Sequence, residues 1–309
     1  MKIATLTLNP ALDLTASVER VSPDEKLRAD NLRRDPGGGG INVARVVHEL
    51  GGEVEAVYLA GGANGELLDE LLADEGVSRR RIEIDGRTRA DITISDRSAD
   101  RQYRFVMPGP EIGEGDCERA FEAVLEGSPD YVVASGSLPP GAPEDSYARL
   151  AGRCREQGSK LVVDTSGPPL ERALEEGVDL IKPNLRELAG LAGRDIEDDH
   201  DLEEIAAGLV EDGKARLVVV SMGSGGAVVV NREGGRHVKA PTVRVRSKVG
   251  AGDSAVAGLV LALARGDSDV DATRFGVAAG AAAVLTPGTE LCHRDDVERL
   301  AEGMQRRRV

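Results

Sequence analysis

Positions 2–8 alternate in polarity and are rich in Ile, Thr and Leu, a period of two that predicts a β-strand ended by Asn9-Pro10. Residues 41–50 then predict a helix, 54–60 a strand and 65–74 a second helix. From Tyr131 the rhythm becomes regular. Strands are expected at 131–135, 160–164 and 179–182, with helices at 144–157, 169–176 and 185–192 between and after them. Helix 201–212 leads to strands 216–221 and 227–230; two small-residue helices follow, one running apolar from Ala255 to Ala264 and one at 271–284 expected to pack tightly. Strands and helices that alternate in this way build an α/β fold around a mostly parallel sheet with right-handed crossovers.

Two segments break the rhythm. In 87–106, Thr88, Ala90, Ile92 and Ile94 alternate with Arg89, Asp91, Thr93 and Ser95; 97–100 turns, and 101–106 returns as a second strand. Residues 14–34 are weakly apolar and carry Lys26, Arg28, Arg33 and Arg34. Together these pieces predict a small sheet with one polar and one apolar face, too thin to be stable alone. A twin sheet from a second subunit would cover the apolar face, so a homodimer is expected. The polar face would hold Lys26, Arg28, Arg89 and Arg104 over the active site, a concentration of positive charge suited to a phosphorylated sugar.

The chain has 309 residues, enough for one large α/β domain. With no Trp and three Phe, its core must be aliphatic. A formal charge of −15 argues against a general nucleic-acid binder, whose affinity rests on Lys and Arg neutralising phosphates. Cys117, Cys154 and Cys292 are too few and scattered for a disulfide framework or a zinc site, which points to a reducing cytoplasm. No basic-then-apolar leader is read at the N-terminus, and no run approaches the ~20 apolar residues of a membrane span.

The chemistry concentrates in Ser247-Lys248-Val249-Gly250-Ala251-Gly252-Asp253-Ser254, directly before the apolar helix. Gly250, Ala251 and Gly252 let backbone N–H groups approach an anion, with the positive end of the helix dipole behind them. Asp253 stands beside that phosphate site, placed to accept a proton from an attacking hydroxyl. A second glycine run, 36–40, opens the 41–50 helix with Asn42 positioned to bind a polyol, and Gly38 and Gly39 sit at its start. Asp13, at the exit of the first strand, is a further candidate for sugar hydroxyls.

With these motifs in view, the chain resembles the ribokinase-like carbohydrate kinases, in their phosphofructokinase B (PfkB) branch. The likeness runs from Thr5-Leu6-Thr7-Leu8-Asn9-Pro10-Ala11-Leu12-Asp13 to Gly288-Thr289-Glu290-Leu291-Cys292. It implies a three-layer fold with a mostly parallel central sheet flanked by helices, plus a small β lid. Residues 1–10, 35–86 and 107–309 would form the nucleotide- and substrate-binding domain, and 11–34 and 87–106 the lid and dimer interface. The resemblance puts Asp13, the lid cations and Ser137 at the sugar phosphate, and Asn184, Ser221, Gly223 and Gly226 at ATP.

Asn184 and Glu187 lie three apart at a helix start, on one face. That spacing serves either a capping box or a pair holding the water shell of Mg²⁺; the resemblance favours magnesium. The likeness also allows K⁺ near Ser247, Val249 and 286–289. Lys248 departs from the small hydroxyl residue expected before Val-Gly-Ala-Gly-Asp. A stray GxxxxGK at 208–214 is rejected as a P-loop, because Ala215 replaces the Ser/Thr and the motif runs from helix to strand.

The implied reaction is phosphoryl transfer from MgATP to the C1 hydroxyl of fructose 6-phosphate, with Asp253 as general base. Tagatose 6-phosphate kinase and 1-phosphofructokinase activities use the same residue types. A non-catalytic sugar-phosphate and nucleotide sensor would lack the base or the anion loop. A free-ribose or nucleoside kinase would leave the lid arginines unexplained.

Overall fold

A computed structural model describes residues 1–306. The opening alternation becomes β1 (Ile3–Thr7), buried on both faces, as a central strand must be. The chain leaves at once into β2 (Ala11–Val18), returns through β3 (Asp30–Gly37), and re-enters the main body as α1 (Gly39–Glu49). β4 (Val54–Ala60), α2 (Gly62–Asp74) and β5 (Ser78–Glu83) follow before a second excursion, β6 (Arg89–Asp96) and β7 (Arg101–Phe105). Next come α3 (Glu114–Leu125), β8 (Tyr131–Ser135), α4 (Ser146–Gln157), β9 (Lys160–Asp164), α5 (Pro168–Glu176), β10 (Val178–Ile181), α6 (Leu185–Ala192) and α7 (Asp199–Glu211). The chain ends with β11 (Ala215–Ser221), β12 (Ala227–Asn231), β13 (Gly234–Val238), α8 (Ala251–Arg265), α9 (Asp269–Ala283) and α10 (Arg294–Arg306).

Nine strands form one sheet in the order β13-β12-β11-β10-β9-β8-β1-β4-β5, parallel except where β12 and β13 run antiparallel at one edge. Strand residues alternate between two aliphatic cores. One core, against α1, α2, α8, α9 and α10, takes Ile3, Tyr58 and Val133; the other, against α3 to α7, takes Leu6, Val57 and Val132. This is the three-layer α/β fold expected from the sequence. Among the described residues no helix is long and apolar enough to cross a membrane.

The two excursions pair into a separate four-stranded sheet, β3-β2-β6-β7, with β2 and β6 parallel. Register sorts its side chains. Leu12, Leu14, Ile92, Ile94, Tyr103 and Phe105 fall on one face, while Asp13, Asp35, Asp91 and Arg104 fall on the other. The apolar face stays open at its β7 edge, where Phe105 is 51% exposed. β3 continues to Gly37, three residues past the limit read from the sequence.

Close helix packing sets where α8 begins. A Cβ at Gly276 of α9 would stand 2.7 Å from the Ala255 carbonyl oxygen, and one at Gly280 3.0 Å from that of Ala251. Only glycine lets the two backbones come so near, and the first turn of α8 is thereby fixed against the sheet.

Candidate active site

Parallel strands aim their carboxyl ends at a shared crevice, and here β1, β8, β9, β10 and β11 deliver Asn9, Ser135, Asp164, Lys182 and Ser221 to it. α8 starts above these ends. Its N-cap, Gly250, has φ 72°, a left-handed conformation that suits glycine, and no side chain caps the helix. The first-turn amides of Ala251, Gly252 and Asp253 therefore keep their hydrogen-bonding capacity for a ligand. The approach is rigid: Ser247 donates to the Gly288 carbonyl at 2.7 Å and accepts from the Val249 N–H at 3.2 Å.

The second glycine run meets the first across this crevice. A Cβ at Gly39 would lie 2.2 Å from the Ser135 Oγ, so the start of α1 nests against the end of β8. This places the Asn42 Nδ2 2.8 Å from the Asp253 Oδ2, a hydrogen bond between residues 211 apart. Asn42 thus holds the carboxylate as well as bordering the cleft, a contact that sequence reasoning did not foresee.

Two further residues escaped the sequence reading. Lys182, buried at the end of β10, forms an ion pair with Asp164 at 3.5 Å, and Asp164 accepts from the Ser135 Oγ at 3.2 Å. Burial pushes the Lys182 pKa down, but Asp164, Asp253 and Glu187 outweigh it and hold the ammonium above its usual range. The available signal was a lysine followed by proline at a strand end, beside a cleft that already held carboxylates. Loss of solvation, then the Asp164 charge, raises the Asp253 pKa to about 6, against opposing pulls from Asn42, Lys182 and Arg104.

A cavity of about 310 Å³ lies on the α1 side of Asp253, under the polar face of the small sheet. Asp13, Gly38, Gly39, Asn42, Arg89 and Arg104 all line it. Burial and the neighbouring Asp91 raise the Asp13 pKa to about 6 as well. The two lid arginines differ in freedom. Arg89 donates to Asp91, to the Met107 carbonyl at 3.2 Å and to the Asn9 carbonyl at 3.1 Å, which ties the small sheet to β1. Among the described residues Arg104 has no such ties, and it lines the cavity.

Lys26 and Arg28 are not on the polar face of the small sheet, where the sequence reading placed them. They lie on the exposed connection between β2 and β3 and do not line this cleft, because the polar face is built from strand residues only. Ser137 also sits outside it. Its Oγ accepts from Asn9 at 3.2 Å, and it lines an adjoining cavity of about 580 Å³ with Asp164 and Glu187.

On the other side of Asp253 a largely apolar cavity of about 560 Å³ runs between β11, β12 and the α8–α9 pair. Ser221, Gly223 and Gly226 line one wall, Gly276 and Gly280 the other. Asn184 and Glu187 form a complete capping box: the Glu187 N–H donates to Asn184 Oδ1 at 2.9 Å, and the Asn184 N–H to Glu187 Oε2 at 2.9 Å. The capping alternative is thus realised, and it uses only one Glu187 carboxylate oxygen. The second oxygen and Asp164 suit a magnesium ion held through its water shell. Among the described residues no group of three or more His, Cys, Asp or Glu forms a direct metal cage. The rejected motif at 208–214 indeed joins α7 to β11.

An anion-binding helix start, a carboxylate beside it and two cavities meeting there can pass a phosphoryl group from one ligand to a hydroxyl of another. The sequence model of the pfkB family of carbohydrate kinases matches residues 6–296. The ATP-dependent 6-phosphofructokinase isozyme 2 of Mycobacterium tuberculosis is 45% identical over 303 residues, covering 97% of this chain and 89% of that protein. The Escherichia coli enzyme of the same name is 43% identical, covering 97% and 98%. The crystal structure of E. coli phosphofructokinase-2 with fructose-6-phosphate superposes with a TM-score of 0.93 at 41% identity, covering 98% of this chain and 99% of that one. That of the same protein with potassium gives 0.95 at 42%, with the same coverage.

Proposed function

This chain belongs to the pfkB family of carbohydrate kinases, and on that premise we propose that it transfers the γ-phosphoryl group of ATP to the C1 hydroxyl of fructose 6-phosphate. One observation carries this reading: the Asp253 carboxylate lines a charged cleft that suits a sugar phosphate, and its neighbour Gly252, at the start of the same helix, lines both that cleft and an apolar one that suits an adenine nucleotide.

Asp13 and Asn42 receive sugar hydroxyls, and Arg104 receives the 6-phosphate. The sugar then presents its C1 hydroxyl to Asp253, which takes the proton as the oxygen attacks phosphorus. The amides of Ala251 and Gly252 lie against the transferring group, where negative charge accumulates, so they favour the transition state over the bound substrates. ATP lies along Ser221, Gly223 and Gly226. Glu187 and Asp164 would hold a magnesium ion through its water shell, and the ion, when bound, would supply neutralisation of phosphate charge. Burial and repulsion from the Asp164 carboxylate, which is paired with Lys182, raise the basicity of Asp253.

The small sheet excludes water over the sugar, and its open apolar face, with Tyr103 37% and Phe105 51% exposed, supports a homodimer through the lid. In that dimer Lys26 and Arg28, on the exposed connection between β2 and β3, serve the sugar phosphate from across the lid interface. The three buried free cysteines suit a reducing cytoplasm.

Coupled ADP release tests the reading across fructose 6-phosphate, fructose 1-phosphate, tagatose 6-phosphate, ribose and adenosine, in potassium and tetramethylammonium salts. The expected result is the highest kcat/KM on fructose 6-phosphate, with faster turnover in potassium. Preference for ribose or adenosine overturns the substrate class, no turnover on any acceptor leaves a sensor, and equal rates in the two salts remove the potassium role.

A further inference from the structure

Among the described residues only two line both cavities, Gly252 and Lys248. A phosphoryl group that crosses from the nucleotide cavity to the sugar cavity passes the wall these two residues share. Gly252 offers a backbone amide. Lys248 offers a side-chain ammonium, and among the described residues it is engaged in no hydrogen bond or ion pair. The other cations of the crevice are differently placed: Lys182 is buried against Asp164, Arg89 is tied to Asp91 and two carbonyls, and Arg104 lines only the sugar side.

From this geometry we infer that Lys248 is a further catalytic residue, whose ammonium contacts the oxygens of the phosphoryl group in flight. The inference rests on the kinase reading above. In the step concerned, the sugar C1 oxygen forms a bond to the γ-phosphorus, and the bond from that phosphorus to the β–γ bridging oxygen breaks. Its electron pair leaves with ADP, and the hydroxyl proton passes to the Asp253 carboxylate. Lys248 gains and loses no proton. In the transition state charge is spread over the three equatorial oxygens of a group that sits midway, where the two clefts meet, so a cation there contacts the transferring group more closely in the transition state than in either bound ligand. A lysine suits this task because its flexible stem lets one point charge follow the moving group.

Lys248→Met and Lys248→Arg separate this role from simple ligand binding. Lys248 is exposed, so both variants should keep the thermal unfolding of the unaltered chain. In Lys248→Met, kcat is expected to fall roughly 10- to 100-fold, at or below the loss caused by removing one donor to a developing oxyanion. ADP affinity by calorimetry and the KM for fructose 6-phosphate should stay within about twofold, since neither ligand carries the group in flight. Lys248→Arg keeps the charge and should recover most of the turnover. A Lys248→Met kcat within about twofold of the unaltered chain overturns the inference. So does a fall in ADP affinity equal to the loss in kcat/KM, or a rise in the sugar-phosphate KM alone. Absence of turnover in the unaltered chain sinks the kinase reading itself, and the inference with it.

Discussion

Asp253→Asn should fold normally and lose between about 10² and 10⁴ of its turnover, the range a positioned general base supplies. The amide keeps the shape of the side chain and can still accept from the Asn42 Nδ2, so the 2.8 Å contact survives while the proton acceptor is gone. Binding of both substrates should change little, which places the loss in kcat. Stability should move the other way. The Asp253 pKa is about 6 in the fold against 3.8 for a free carboxyl, so the fold favours the protonated form and the ionised group costs stability. That cost is fully present above pH 6, shrinks as the pH falls towards 3.8, and is absent below it. Asp253→Asn should therefore melt at a higher temperature than the unaltered chain at pH 8, with the gap closing near pH 4. In the unaltered chain kcat/KM should fall below about pH 6 by roughly one to two decades per pH unit, because Asp13 titrates in the same range. A variant within about tenfold of normal turnover would contradict a base role.

Arg104→Met should raise the KM for fructose 6-phosphate by roughly 10- to 100-fold, which corresponds to the 1.5–3 kcal/mol of a hydrogen bond to a charged group. The reason lies in how the two lid arginines are used. Arg89 spends its donors on Asp91 and on the carbonyls of Asn9 and Met107, so its removal loosens the seat of the small sheet. Arg104 lines the cavity without an ion pair, which leaves its whole donor fork for a phosphate. Its charge also pulls the Asp13 and Asp253 pKa values down. The acid limb of the pH profile should accordingly move to higher pH in Arg104→Met. Steady-state kinetics at several pH values would read both effects, and an unchanged KM would assign the phosphate to another group.

The parts of the site that were legible in the sequence are those whose chemistry is local. Gly250 to Asp253 carry their own logic, since a left-handed glycine, a small-residue turn and a carboxylate in the first helical turn already make an anion site. The alternation of 88–95 likewise predicted a two-faced strand, and β6 divides its side chains that way. Legibility ended where function depends on distant pairing. Nothing near Asn42 announces its bond to Asp253, and the Lys-Pro at the end of β10 marks a strand end at the cleft without naming Asp164 as its partner. Lys26 and Arg28 were placed on the polar face by their charge and their lid segment, and neither shows that the residues lie on a connection between strands. β5, with Arg79, Arg80 and Arg81, and β13, a glycine-rich edge hairpin strand, lack an apolar alternation, so neither was expected. α3 and α10 were also not read from the sequence, although their acidic first turns are a helix-start signal.

The central claim is that the acceptor hydroxyl and the terminal phosphate of ATP meet over Asp253. A crystal structure with fructose 6-phosphate and a non-hydrolysable ATP analogue tests it most directly. The account predicts the C1 hydroxyl within about 3 Å of the Asp253 carboxylate and the terminal phosphate on the amides of Gly250 to Gly252. A triphosphate whose end lies in the cavity beside Ser137 and Glu187, or a sugar whose C1 hydroxyl turns away from residue 253, would contradict it.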